Sequence, residues 1–183
     1  MTGEPHNPWE RRSRTTAYEN PWIEVWHDEV VRPDGSDGIY GVVHFRTRAV
    51  GAVVLDEDDR VLLVGQHRYT LDRYSWEIPE GGSPWGEDPL DGVKRELAEE
   101  TGYAASRWRE LIRFTLSNSV TDEEGVMFVA TGLTPGEPAP DPTEELAVRW
   151  VAVGEALDMV DRGEIHDVMT QTALLALARE RAT

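Results

Sequence analysis

A chain of 183 residues has room for one compact domain, or for a domain with a small appendage, and can bury a core without covalent staples. It contains no cysteine, which excludes a disulfide framework, a thiolate metal site and a cysteine nucleophile. Asp and Glu outnumber Lys and Arg 35 to 18, and the resulting formal charge of -17 opposes a nucleic-acid partner.

A nucleotide-sized substrate remains compatible with this charge if metal ions screen its phosphates. The opening residues MTGEPHNPWERRSR lead into no apolar stretch, so no signal peptide is expected. No run is long enough to span a bilayer, and a cytoplasmic enzyme is the expectation.

Residues 1–17 are polar and Arg-rich and predict a loosely ordered arm, with Arg11, Arg12 and Arg14 either solvated or available to a phosphate. A small β-appendage is expected over residues 18–48. WIEVWHDEVV alternates Trp22, Glu24, Trp26 and Asp28 on one face with Ile23, Val25 and His27 on the other. RPDGSDG supplies a turn and IYGVVHFRT the return strand. The main domain is expected over residues 49–183. AVGAVVL and RVLLVGQ predict strands around an acidic turn at DEDD, residues 56–59. Residues 67–89, rich in Gly, Pro and aromatics, predict a structured loop.

LDGVKRELAEETG, led by Pro89, predicts a helix with Gly102 near its C-cap. SRWRELIRF, EGVMFVATG and LAVRWVAV predict strands, and PGEPAPDPTEE a loop. The C-terminal segment predicts two helical pieces, the last packing through Met169, Thr172, Ala173, Leu175, Ala176 and Ala178. Strands mixed with a few helices indicate an α/β layered domain.

The sharpest chemical signal lies on the first helix. At about 100° per residue, Glu96, Glu99 and Glu100 share one arc, while Leu90, Val93 and Leu97 fall on an adjacent apolar arc. Arg95, four residues before Glu99, can hold that carboxylate. Three close carboxylates repel unless neutralised, and an all-oxygen cluster suits a hard ion such as Mg²⁺ or Mn²⁺. Gly81 and Gly82 allow close backbone approach, and Glu87 is placed to fix the loop through backbone groups or Arg95. An ELAEE run by itself is also common on solvated helices. The five histidines are scattered and suggest no transition-metal cluster.

The complete spacing resembles the Nudix hydrolase family. Its box reads Gly, five residues, Glu, seven residues, Arg-Glu, an apolar residue, any residue, Glu-Glu, any residue, Gly and an apolar residue. Gly81, Glu87, Arg95-Glu96-Leu97, Glu99-Glu100 and Gly102-Tyr103 match every specified position. The resemblance implies a Nudix α/β/α sandwich and divalent-metal hydrolysis of a nucleoside diphosphate linked to another group. It further implies that Glu96, Glu99 and Glu100 are metal ligands, joined by the backbone carbonyl of Glu80. Arg95 would orient the helix, and Glu87 would stabilise the loop.

The chain is most similar to the ADP-ribose and nucleotide-sugar pyrophosphatase branch, which implies a homodimer with an N-terminal β-appendage. That branch clasps its base with aromatic residues, so Trp22 or Trp26 is expected to stack on a base. Arg68 is expected near a phosphate or an active-site carboxylate, and Glu77 near the substrate's sugar. A proline common about sixteen residues beyond the box is missing. Ser117, Asn118 and Ser119 stand there, available to sugar hydroxyls or forming a simple turn, which weakens ADP-ribose specificity.

The implied reaction is attack of a metal-activated water on a pyrophosphate phosphorus, giving AMP and ribose 5-phosphate from ADP-ribose. Glu145 or Glu144, on the loop after the box strands, is the expected general base, with Glu99 or Glu100 as the alternative. Other readings are a GDP-sugar or dinucleoside-polyphosphate hydrolase and a catalytically silent nucleotide-binding module.

Overall fold

The computed structural model describes residues 6–143 and 145–182. The chain divides into two compact units. One comprises the chain up to Thr47 with Thr115–Glu123, and the other comprises Arg48–Phe114 with the chain from Glu124 onward.

The first unit is an antiparallel sheet of β1 (Glu10–Glu19), β2 (Ile23–Val31) and β3 (Asp37–Phe45), in that order. The turn at residues 32–36 closes through Gly35, whose φ of 83° is open to glycine at no steric cost. The strand β1 corrects the polar-arm expectation over residues 10–17, while residues 1–5 of that expectation lie outside the described residues. Its side chains are exposed almost throughout, so it carries no apolar alternation for a sequence reading to detect. Pairing to β2 stabilises it instead, with Arg14 opposite Asp28, and the Arg14 guanidinium donates to both Asp28 oxygens at 2.7 and 2.6 Å.

The Thr115–Glu123 excursion docks on this sheet. Val43 N–H donates to the Val120 carbonyl at 2.8 Å, Tyr40 Oη donates to the Ser119 carbonyl at 2.7 Å, and His44 Nδ1 lies 2.6 Å from Asp122.

The second unit is a layered sandwich. One sheet has the order β7 (Glu80–Pro84), β4 (Thr47–Val54), β9 (Glu124–Thr134), β8 (Ala104–Thr115), with β4 and β9 parallel. A second has the order β10 (Ala147–Ala152), β5 (Arg60–Arg68), β6 (Arg73–Glu77), all antiparallel neighbours. Alternation along the strands assigns each face to a different core. Val50, Ala52 and Val54 of β4 join Val126, Phe128 and Ala130 of β9 against Val93 and Leu97 of α1 (Pro89–Thr101). Val53, Met127 and Val129 join the opposite cluster, with Ala156 and Met159 of α2 (Val153–Asp161) and Ala173, Leu174 and Leu177 of α3 (Val168–Arg181). This helix, sheet, helix layering is the α/β/α sandwich expected.

Two local readings change. Residues 67–89 are not only loop but contain β6 and β7, two five-residue strands whose Gly, Pro and Glu content hides any alternation. On α3 the buried face is Thr170, Ala173, Leu174 and Leu177, while Leu175 is 54% exposed. Thr170, Ala173, Leu174 and Leu177 follow helical spacing and define the buried arc, and Leu175 falls off it.

Candidate active site

The helix α1 is built to hold its carboxylates still. Asp88 caps it by accepting from Leu90 N–H at 2.9 Å, and Pro89 needs no donor in the first turn. Gly102 ends it at φ 74°, in the left-handed region, with its N–H on the Ala98 carbonyl. A Cβ at Gly102 would meet the Gly136 carbonyl oxygen at 2.6 Å, so backbone packing as well as φ requires glycine. Val93 and Leu97 are fully buried and fix the helix rotation.

That rotation brings Glu96, Glu99 and Glu100 to the strand β7 side. Arg95 ties the group together. Its guanidinium donates to Glu96 Oε1 at 2.7 Å, to Glu99 Oε2 at 3.3 Å and to the Gly82 carbonyl at 2.9 Å, and it lies 3.5 Å from Glu87. Glu87 also accepts from Ser83 Oγ at 3.0 Å. Glu100 is buried and its Oε2 accepts the Glu80 N–H at 3.2 Å, fastening the loop to the helix from the other side. Gly81 lies directly under the Glu96 carboxyl group, where a side chain would collide with it.

Burial raises the Glu96 pKa above its ordinary value, opposed by the hydrogen bond from Arg95. Glu80 is pushed well above the ordinary carboxylate range, first by burial and then by the charges of Asp167 and Glu77, with Arg68 opposing. Arg68 pairs with two carboxylates of the site. It donates through Nε to both Glu77 oxygens at 3.0 Å, through Nη2 to Glu77 again, and to Glu80 Oε1 at 3.2 Å.

One carboxylate here escaped the sequence reading. Asp167 caps α3, accepting from Thr170 N–H at 2.6 Å, and an oxygen of Glu77, Glu80 and Asp167 each lies within 4.8 Å of the others. Thr170 Oγ1 accepts the buried Ile78 N–H at 3.0 Å, which brings the α3 start beside the β6–β7 turn. An Asp three residues before a Thr, ahead of a helical run, was the available signal.

The remaining candidates distribute unevenly. Trp22, Trp26, Ser117, Asn118 and Ser119 belong to the first unit, while the box, Arg68, Glu77 and Glu145 belong to the second. Trp22 is 72% exposed. Trp26 has both faces covered within its own unit, by His44 at 4.2 Å between ring centroids and by the Arg14 guanidinium at 3.7 Å. Ser117 adopts φ 44° and its carbonyl accepts from Val120 and Thr121, so the Ser-Asn-Ser stretch forms a tight turn. Glu145 is exposed on the wall of a cavity of about 470 Å³ with Gln66, His67 and Tyr74. Glu144 lies outside the described residues.

The donor set fits a hard divalent ion. It consists of carboxylate and carbonyl oxygens, and the Glu96 carboxyl group occupies a cradle over Gly81 that any Cβ would fill.

Comparison with known proteins agrees with this geometry. Residues 45–171 match the NUDIX domain, and residues 9–43 match the nucleoside diphosphate sugar hydrolase N-terminal domain. The chain is 32% identical to the ADP-ribose pyrophosphatase of Mycobacterium tuberculosis over 92% of this chain and 83% of that protein. It is 30% identical to the CMP-5'-(N-acetyl-N-hydroxy-3-aminopropyl)phosphonate hydrolase of Streptomyces rubellomurinus, over 92% of this chain and 82% of that one. The crystal structure of an ADP compounds hydrolase shares the fold with a TM-score of 0.86 at 18% identity, covering 97% of this chain and 96% of that one. With a box complete from Gly81 to Tyr103, set on a capped and clamped helix inside a matching sandwich, the chain belongs to the Nudix family.

Proposed function

We propose that this protein hydrolyses the pyrophosphate bond of ADP-ribose or a related nucleoside diphosphate sugar, releasing a nucleoside monophosphate and a sugar phosphate. The observation that carries the reading is the clamp on α1, in which Arg95 and the Glu80 N–H hold Glu96, Glu99 and Glu100 against the glycine loop. Relatives named for hydrolysis of ADP-ribose and of a CMP-linked phosphonate support the bond class and leave the base broader than adenine.

Glu96, Glu99 and Glu100, with the Glu80 carbonyl, would hold Mg²⁺ or Mn²⁺. Such an ion, when bound, supplies Lewis-acid polarisation of phosphoryl oxygens. The chain's own residues then have separable tasks. Arg95 spaces the carboxylates and, through the Gly82 carbonyl, keeps the loop in register with the helix. Glu87 braces the same guanidinium. Arg68, half exposed beside Glu77 and Glu80, offers positive charge to a phosphate, and the buried Glu77 holds its guanidinium in place. Glu145 takes the proton of the attacking water, with Glu99 or Glu100 as the alternative base. Trp22, open to solvent, stacks on the base. Ser117, Asn118 and Ser119 offer polar groups to sugar hydroxyls. The protein works as a cytoplasmic homodimer, which light scattering after size exclusion checks. Among the described residues no helix is long and apolar enough to cross a membrane.

A substrate panel tests the function. It comprises ADP-ribose, GDP-mannose, UDP-glucose, NADH, diadenosine polyphosphates and oxidised nucleoside triphosphates, each with Mg²⁺ or Mn²⁺ and product identification. Turnover of a nucleoside diphosphate sugar to a nucleoside monophosphate is expected. Absence of turnover on every member would sink the proposal.

A further inference from the structure

We propose that Glu77, Glu80 and Asp167 form a second divalent-cation site, beside the box glutamates and made of different side chains. Three elements deliver the three carboxylates: the end of β6, the start of β7 and the cap of α3. One oxygen from each lies within 4.8 Å of the others. Oxygens on opposite sides of a single hard cation stand about 4–5 Å apart, given metal–oxygen distances of about 2.0–2.6 Å, so the three carboxylates are spaced to converge on one ion.

A bound cation would offset the charge of this cluster. Glu77 is 3% exposed and Glu80 8% exposed, and the guanidinium of Arg68 is the cation bonded to them. With all three carboxylates ionised, one guanidinium leaves an excess of two negative charges, and uncompensated buried charge is costly. The single lysine of the sequence, Lys94, is bonded to Asp91 on α1 and does not serve here.

A separate observation concerns one atom. Glu80 Oε2 is fully buried and has no hydrogen-bond partner, although Oε1 of the same carboxylate accepts from Arg68. Buried polar atoms are ordinarily satisfied, and a cation bound by this cluster would give that carboxylate oxygen a partner. Asp167 supplies the way in. It is only half buried, and one of its oxygens accepts from Thr170 N–H, leaving the other for an ion.

The test is titration of the metal-free, full-length protein with Mn²⁺, reading the electron paramagnetic resonance signal of the free ion. Asp167→Asn keeps an N-cap oxygen and Glu80→Gln keeps the side-chain shape, and thermal unfolding verifies that both fold. The wild-type protein is expected to bind one equivalent more than either variant, or to bind that equivalent at least about tenfold more tightly. Glu100→Gln is expected to weaken the box ions while leaving this equivalent in place. Identical titrations for wild type, Asp167→Asn and Glu80→Gln would overturn the site, and that result would mean the pocket is satisfied by a proton on Glu80. Loss of the same equivalent in Glu100→Gln would overturn its separateness from the box. The equivalent is counted without substrate, so failure of the substrate panel leaves this site standing, and failure here leaves the hydrolytic proposal standing.

Discussion

Gly81→Ala separates packing from chemistry at the box. The backbone at Gly81 lies outside the left-handed region, so alanine meets no conformational penalty there. The penalty is contact. The new Cβ would overlap the Glu96 carboxyl group, and even Oε1, the farthest of its three carboxyl atoms, would stand only 2.7 Å away. Unstrained carbon contacts lie at about 3.5–4.0 Å, so the carboxyl group must retreat by about 1 Å or more. Retreat breaks the 2.7 Å hydrogen bond from Arg95 to Glu96, yet Arg95 keeps Glu99, Glu87 and the Gly82 carbonyl. The Arg95 side chain is 37% exposed, so the stability cost is about 1 kcal/mol, after discounting for solvent screening. For a chain of this size that lowers Tm by about 2–4 °C. Catalysis suffers more, because misplacing a reacting group by about 1 Å costs about 100-fold in rate. Calorimetry, with kcat/KM on ADP-ribose at saturating Mn²⁺, measures both. A variant within about threefold of wild-type kcat/KM would refute the placement of Glu96 in the reaction. Loss of the folded state would refute the view that Gly81 is needed for the site and not for the scaffold.

Other perturbations test neighbouring parts of the structure. Thr170→Val removes the acceptor of the buried Ile78 N–H and should destabilise by about 1–3 kcal/mol, read by urea unfolding; an unchanged midpoint would contradict that bond. Trp26→Ala should cost about 1–2 kcal/mol by removing the stack on His44 and the Arg14 contact. Trp22→Ala should leave stability unchanged and raise KM, and an unaltered KM would remove Trp22 from base recognition. Asp28 is held below its ordinary pKa of 3.8, first by its hydrogen bond from Arg14. A carboxylate with a depressed folded pKa stabilises above its unfolded value, and that contribution disappears as pH falls through the folded one. Thermal unfolding should therefore show an acid limb below pH 3.8 that Asp28→Asn flattens. An identical limb in the variant would assign the acid loss elsewhere.

The helix α1 was legible because its information is local. Asp88 and Pro89 start it, Gly102 stops it, and its apolar and acidic arcs follow from spacing alone. The strands β4, β5 and β9 were legible because burial on both sides gives them near-continuous apolar runs. The strand β1 was hidden by its exposure: a strand held by pairing and by a half-buried ion pair needs no apolar face. The strands β6 and β7 were hidden by composition, since Glu77 and Glu80 occupy buried positions where an apolar residue would have announced a strand. Asp167 could not be joined to Glu77 and Glu80 from sequence. The three meet in the folded chain, where Thr170 accepts from Ile78 across 92 residues. The box spacing likewise placed Glu96, Glu99 and Glu100 on one arc, but not the Arg95 bond to the Gly82 carbonyl that sets their distance from the loop.

The most direct test of the proposed chemistry is Glu100→Gln assayed on ADP-ribose with Mg²⁺, with products separated and identified. Glutamine keeps an oxygen for the Glu80 N–H and removes the charge, so the variant should fold with wild-type Tm. The proposed mechanism predicts equal amounts of AMP and ribose 5-phosphate from the wild-type protein, no products after chelation, and at least about 100-fold lower kcat/KM in the variant. Wild-type product formation that persists with chelator, or a folded Glu100→Gln variant as active as wild type, would contradict it.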